Sequence, residues 1–106
     1  IVKLISLVSA ADARELLKQG ALVIDVRTPG EFQSGRVAKA INIPLDDLGH
    51  VLPRRVPDKN QVLLLHCLSG TRSGLAKGQL KRLGYQNVHT LGSLGRARNI
   101  VSAGKS

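Results

Sequence analysis

LLLHCLSGTRSGLAK, residues 63–77, runs from an apolar segment through the chain's only cysteine and a glycine-containing turn into a helical pattern. QVLLLHC, residues 61–67, has the length and continuous apolar character of a parallel strand covered on both faces. From Ser73 to Leu83 the apolar residues Ala76, Leu80 and Leu83 recur at helical spacing, Lys77, Lys81 and Arg82 face outward, and Gly84 supplies a stop. Strand, turn and helix in this order form the unit of an α/β fold. They place Cys67 at the last residue of a central strand.

The flanking segments repeat the pattern. SAADARELLKQG, residues 9–20, starts with Ser9 as N-cap, carries Asp12 in the first turn, repeats Ala13, Leu16 and Leu17, and stops at Gly20. ALVIDV, residues 21–26, is a second buried-strand run. In TPGEF, Thr28 can cap, Pro29 suits the first helical position and Glu31 completes a capping box. AINIP, residues 40–44, reads as a short strand, LDDLGHVL as a short helix entered through Asp46 and Asp47, and PDKN, residues 57–60, as a turn. NVHTL reads as a last strand, GRARNIVSAG as a last helix, and the opening IVKLISLVSA as an edge strand or ragged start. Alternating strands and helices predict a single α/β domain over residues 1–106, with a central, mainly parallel sheet and helices on both faces.

Composition narrows the chemistry. With 42% hydrophobic but only 2% aromatic residues, the core of this 106-residue chain must be built from Leu, Val, Ile and Ala. One cysteine forms no intramolecular disulfide, and His50, His66 and His89 lack the close spacings of zinc or haem sites, so no metal is expected. No segment is long and apolar enough to span a membrane. Sixteen Lys and Arg against seven Asp and Glu give a formal charge of +9, a field that attracts anions. Nucleic acid is not the expected partner, because the basic residues are scattered (Arg54 and Arg55, Lys81 and Arg82, Arg96 and Arg98) and interleaved aromatics are missing.

Ligands of open parallel sheets bind beyond the carboxyl ends of the strands, where Cys67 falls. A lone cysteine after an apolar run is by itself an inert small hydrophobe. Its neighbours argue for more. Gly70 lets the backbone turn so that the amides of Leu68, Ser69, Gly70, Thr71 and Arg72 can point inward as a nest for an anion. The following helix adds the positive end of its dipole and Arg72 a guanidinium, so a thiolate at Cys67, the nucleophilic form, gains a favourable field. Thr71 and Ser73 can also cap that helix, and Arg72 can serve as an ordinary salt-bridge partner. Adjacent strand residues point to opposite faces, which gives His66 a structural role rather than a place in a Cys-His pair.

DVRTPGEFQSGRVAKAINIP, residues 25–44, followed by CLSGTRS, residues 67–73, resembles the rhodanese family. The likeness extends through a CxxGxxSG loop and a GYxxV stretch, and is nearest to the small single-domain sulfurtransferases. The resemblance implies transfer of sulfane sulfur from thiosulfate, through a persulfide on Cys67, to cyanide or a thiol. It implies Cys67 as sulfur carrier, the amides from Leu68 to Ser73 as its cradle, Thr71 and Arg72 at the mouth, and Asp25 and Arg27 as structural residues. It also implies no cofactor and a periplasmic location, with the cytoplasm as alternative; a monomer is expected. Three departures stand out: Arg36 and Lys39 replace the family's His and second Gly in GHIxGAxNIP, and Ser93 replaces a glycine before the last helix, which also lacks its usual aromatic residue.

Other readings compete. Cdc25-type phosphatases and arsenate reductases share the idea of an amide-cradled cysteine, but their loops are one residue longer than the four residues between Cys67 and Arg72. A non-catalytic binding module of the same fold typically lacks the cysteine. A sulfur relay fed by a partner protein, or delivering to one, would use the scattered positive charge as a docking surface.

Overall fold

Ser9 opens the first helix: its Oγ accepts the amide of Asp12 at 3.1 Å, and α1 runs Ala10–Lys18. The computed structural model describes residues 7–103. The reading of an edge strand at the start falls largely on residues 1–6, outside the described residues; Val8 donates its amide to the carbonyl of Thr90 at 3.2 Å.

Strands β1 (Leu22–Asp25), β2 (Ile41–Asn42), β3 (Leu63–His66) and β4 (Val88–Gly92) form one sheet in the order β2-β1-β3-β4, every neighbouring pair parallel. The expected mainly parallel sheet is therefore wholly parallel among the described residues. Helix α2 (Pro29–Ser34) begins with the Thr28–Glu31 capping box. A 3-10 turn at Leu45–Asp47 leads into α3 (Leu48–Arg55), so the LDDLGHVL segment splits into two kinds of helix. Helices α4 (Thr71–Arg82) and α5 (Leu94–Ala103) follow β3 and β4.

Alternation along the strands feeds two aliphatic cores. Val23, Leu64 and Leu91 pack with Ala13 of α1 and with Ala97 and Ile100 of α5. Ile24, Leu63 and Leu65 pack on the other face with Leu48 and Leu52 of α3 and with Ala76 and Leu80 of α4. Each buried leucine or isoleucine contributes about 1.5–3 kcal/mol, so both faces are needed to hold the sheet. The helices lie on both faces, as the sequence pattern requires.

Two boundaries differ from expectation. β3 ends at His66, so Cys67 lies just past the strand, although its amide still donates to Gly92 O at 3.1 Å. The register of β3 against β4 shifts at this point, pairing Leu65 with Thr90 but His66 with Gly92. α4 starts at Thr71 rather than near Ser73, because Gly70 takes a left-handed conformation at φ 110° and turns the chain into the helix two residues early. Together these differences confine the turn to residues 67–70 and bring the helix's first amides onto the sulfur.

Candidate active site

Cys67 is buried, 1% exposed, at the carboxyl edge of the sheet. Its Sγ accepts the amides of Gly70 at 3.0 Å and Ser73 at 3.3 Å, and the Ser73 Oγ lies 3.7 Å away. Ser73 is the third residue of α4, where the first-turn amides have no partner within the helix. One of these orphan amides is satisfied by the sulfur. The helix dipole adds a partial positive charge on the same side, so the surroundings complement a negative charge on sulfur.

Of the six predicted cradle residues, Gly70 and Ser73 meet the sulfur directly. Leu68, Ser69 and Thr71 are exposed and form the rim. The carbonyl of Leu68 accepts the amide of Leu94 at 3.1 Å, which ties the loop to the start of α5. The Ser73 hydroxyl donates to Gly70 O at 2.9 Å and closes the turn from inside. Cavities flank the loop on both sides. One, of about 400 Å³, is lined by Arg27, Glu31, Ser34, Leu68, Leu94 and Arg98; another, of about 300 Å³, lies against Ser69, Gly70, Thr71 and Gly92.

Arg72 does not project freely into the mouth. Its guanidinium donates to both carboxylate oxygens of Glu31, at 2.6 and 2.9 Å, and so bridges α4 to α2. That hydrogen-bonded bridge, helped by the Thr28 amide on the same carboxylate, lowers the Glu31 pKa to about 2. The bridge in turn raises the Arg72 pKa.

Asp25 and Arg27 form a buried pair. Arg27 donates through Nε and Nη2 to the Asp25 carboxylate at 2.8–3.0 Å, its amide reaches the same group at 2.9 Å, and Nη2 also meets Gly35 O at 2.6 Å. The pair therefore braces the loop after α2 against β1. Asn42 adds to this brace by donating to the carbonyls of Asp25 and Arg27 at 3.0 and 2.9 Å. His66 joins the same cluster: Nδ1 lies 3.2 Å from Cys67 O, Nε2 lies 3.8 Å from Asp25 Oδ2, and Nε2 has no hydrogen-bond partner among the described residues. Burial lowers the His66 pKa more than the Asp25 charge raises it, which favours the neutral ring, and the imidazole bonds toward Cys67 O rather than the sulfur.

The departures sit around this frame. The Arg36 guanidinium stacks 4.9 Å over the Phe32 ring. Lys39 occupies a left-handed backbone position at φ 65°, where a glycine is at ease. Ser93 caps α5, its Oγ accepting the Arg96 amide at 3.1 Å. Three contributing residues carry little signal of this role in the sequence. Glu31 reads only as a capping residue and Asn42 only as a strand residue, while Thr90, whose Oγ1 lies 2.9 Å from the Ser73 Oγ, is marked by nothing but a polar residue in an apolar strand.

A single cysteine just beyond a central parallel strand, its sulfur met by main-chain amides at a helix start, defines an α/β domain built around an amide-cradled thiol. Residues 9–93 match the family model of the rhodanese-like domain, and the chain belongs to that family. Over 71 residues it is 42% identical to the thiosulfate sulfurtransferase PspE of Escherichia coli (strain K12), covering 67% of this chain and 68% of that protein. A solved structure of a rhodanese with anions from E. coli matches at a TM-score of 0.70 and 39% identity, covering 73% of this chain and 91% of that one. Over 85 residues the chain is 32% identical to a tRNA uridine(34) hydroxylase of Hamiltonella defensa, spanning 76% of this chain but only 24% of that protein. No helix among the described residues is long and apolar enough to cross a membrane.

Proposed function

We propose that the chain is a sulfurtransferase that takes sulfane sulfur from thiosulfate onto Cys67 and passes it to cyanide or a thiol. The observation that carries this reading is the pair of amides, from Gly70 and Ser73, on the Cys67 sulfur. In the first step the Cys67 thiolate attacks the outer sulfur of thiosulfate, the S–S bond of the donor breaks, and sulfite leaves with the bonding pair. In the second, cyanide or a thiolate attacks the outer sulfur of the persulfide and Cys67 leaves as thiolate. Fixed amide donors hold negative sulfur in both states without proton transfer. The formal charge of +9 favours encounter with a dianionic donor. Likeness to PspE supports thiosulfate as that donor, while the hydroxylase shows the same domain within a protein of another activity.

In this reading residues 1–106 act as one domain, as a monomer and without a cofactor or metal. Leu68, Ser69 and Thr71 shape the approach of donor and acceptor, Arg72 acts through its bridge to Glu31, and a protein-borne thiol is an acceptor of the same chemistry. Intact-mass measurement after incubation with thiosulfate tests it, with cyanide added afterwards and Cys67→Ser run in parallel. The expected result is a gain of one sulfur atom that cyanide removes as thiocyanate and that the folded serine variant never shows. A folded protein that gains no sulfur overturns the reading.

A further inference from the structure

The Ser73 hydroxyl is buried beside the Cys67 sulfur, and the Thr90 hydroxyl is buried behind it. The Ser73 Oγ lies 3.7 Å from Sγ, 2.9 Å from Gly70 O and 2.9 Å from the Thr90 Oγ1. The Thr90 Oγ1 accepts the Gly92 amide at 3.1 Å and lies 3.4 Å from Leu65 O. Both side chains are fully buried, at 0% exposure, so water does not complete their bonding.

Each hydroxyl has one proton to donate. The Gly92 amide occupies a lone pair of the Thr90 oxygen, and the Thr90 proton has its shorter acceptor in the Ser73 Oγ. The Ser73 proton then has two destinations, Gly70 O or Sγ, reached by rotation about its Cβ–Oγ bond. When sulfur is negative, turning that proton to Sγ adds a hydroxyl donor to the two amides. Through either rotation Thr90 remains the donor to the Ser73 oxygen, so it polarises that hydroxyl and fixes the oxygen at its distance from sulfur.

We propose that Thr90 is a positioning residue for Cys67, acting through Ser73: its hydroxyl holds the Ser73 Oγ as a switchable donor against the reacting sulfur. The register shift between β3 and β4 belongs to the same device, since Leu65 pairs with Thr90 while His66 pairs with Gly92, and Gly92 is thereby placed to donate back to Thr90. Among the charged and titratable groups on the elements around them are Arg72 of α4 with Glu31 of α2, the cluster of Asp25 on β1, Arg27 just beyond it and His66 on β3, and His89 of β4. None of them hydrogen-bonds to Ser73 or Thr90 among the described residues. Removing the Thr90 hydroxyl therefore changes the relay and leaves the charges in place.

The inference deepens the sulfurtransferase reading but is tested on the thiol itself. Thr90→Val, which keeps shape and loses the hydroxyl, Thr90→Ser, which keeps the hydroxyl, Ser73→Ala and the double variant Ser73→Ala/Thr90→Val are alkylated with iodoacetamide at one pH, with thermal unfolding confirming the fold. Thr90→Val is expected to slow alkylation of Cys67 about three- to tenfold, from the loss of part of one buried hydrogen bond. Thr90→Ser is expected to restore it, and Thr90→Val to add nothing once Ser73 is alanine. If Thr90→Val does not accumulate folded, Thr90→Ala is read in the same way. Unchanged alkylation in the folded variant, or a full effect persisting in the Ser73→Ala background, overturns the role of Thr90. Because alkylation needs no thiosulfate, a failure here is distinct from a failure to load sulfur.

Discussion

Glu31 and Arg72, far apart in the chain, join the first turns of α2 and α4 through two hydrogen bonds of 2.6 and 2.9 Å. Arg72 is thus held by the protein, and its guanidinium sets the position of the helix start whose amide meets Cys67. Arg72→Ala is expected to slow sulfur loading from thiosulfate at least tenfold, while stability falls by about 1 kcal/mol or less because the side chains of the pair are 33% and 30% exposed. Arg72→Lys should not restore loading, since an ammonium cannot make the two-pronged contact. Loading kinetics and urea unfolding on the same variants check this; unchanged loading in Arg72→Ala removes the residue from the site.

Acid should weaken the fold in two stages. Burial lowers the His66 pKa below 6.5, so the unfolded chain takes up a proton that the native ring refuses, and stability declines as pH falls below 6.5. Glu31, brought from 4.5 to about 2 chiefly by Arg72, stabilises the fold fully above 4.5, and that contribution is lost as pH falls toward 2. Urea midpoints measured between about pH 7 and about pH 3 should show the upper slope reduced in His66→Asn and the lower one in Glu31→Gln. Identical profiles for both variants and the parent would refute this assignment of the slopes.

The Asp25–Arg27 pair predicts a large structural loss. Asp25→Ala leaves the Arg27 guanidinium buried with Gly35 O as its remaining partner, at an expected cost of about 3–5 kcal/mol in unfolding free energy. A loss below about 1 kcal/mol would mean that the pair is not the brace its geometry describes.

Two backbone positions predict opposite signs. Gly70 sits at φ 110°, and an added Cβ would meet only Gly92 backbone at 3.7 Å, so Gly70→Ala should cost about 1–2 kcal/mol in torsion rather than in clash. Because the Gly70 amide is one of the two on sulfur, that substitution should reduce loading more than tenfold. Lys39 at φ 65° is the reverse case, and Lys39→Gly should raise the unfolding midpoint by removing strain of about 1 kcal/mol. A lower midpoint for Lys39→Gly would show that the lysine side chain stabilises more than its backbone strains.

Much of this architecture is written locally. Ser9, the Thr28–Glu31 capping box, the apolar runs of β1 and β3 and the spacing of Ala76 and Leu80 each specify an element from a few adjacent residues, and the alternation of those elements specifies the parallel sheet. Cys67 and its amide donors were legible for the same reason, since turn and helix start lie within a few residues of the sulfur. The links made by tertiary folding were not. Nothing near Arg72 in the chain announces Glu31, nothing near Ser73 announces Thr90, and Asn42 became a brace only because β2 was laid beside β1. The end of β3 shifted by one residue because pairing with β4, not strand propensity, decides where a strand stops.

The sulfur of Cys67 meets main-chain amides, whereas the exposed rim at Leu68, Ser69 and Thr71 meets whatever approaches. In the proposed reaction, reactivity and selectivity are therefore carried by different parts of the same short loop, one by chain path and the other by side-chain identity. In the proposed sulfur transfer, substitutions at the rim are expected to redirect the domain toward another donor or acceptor without altering the amides on the Cys67 sulfur. Such a loop can be re-addressed residue by residue, provided that the glycine turn and the helix start behind it stay where they are.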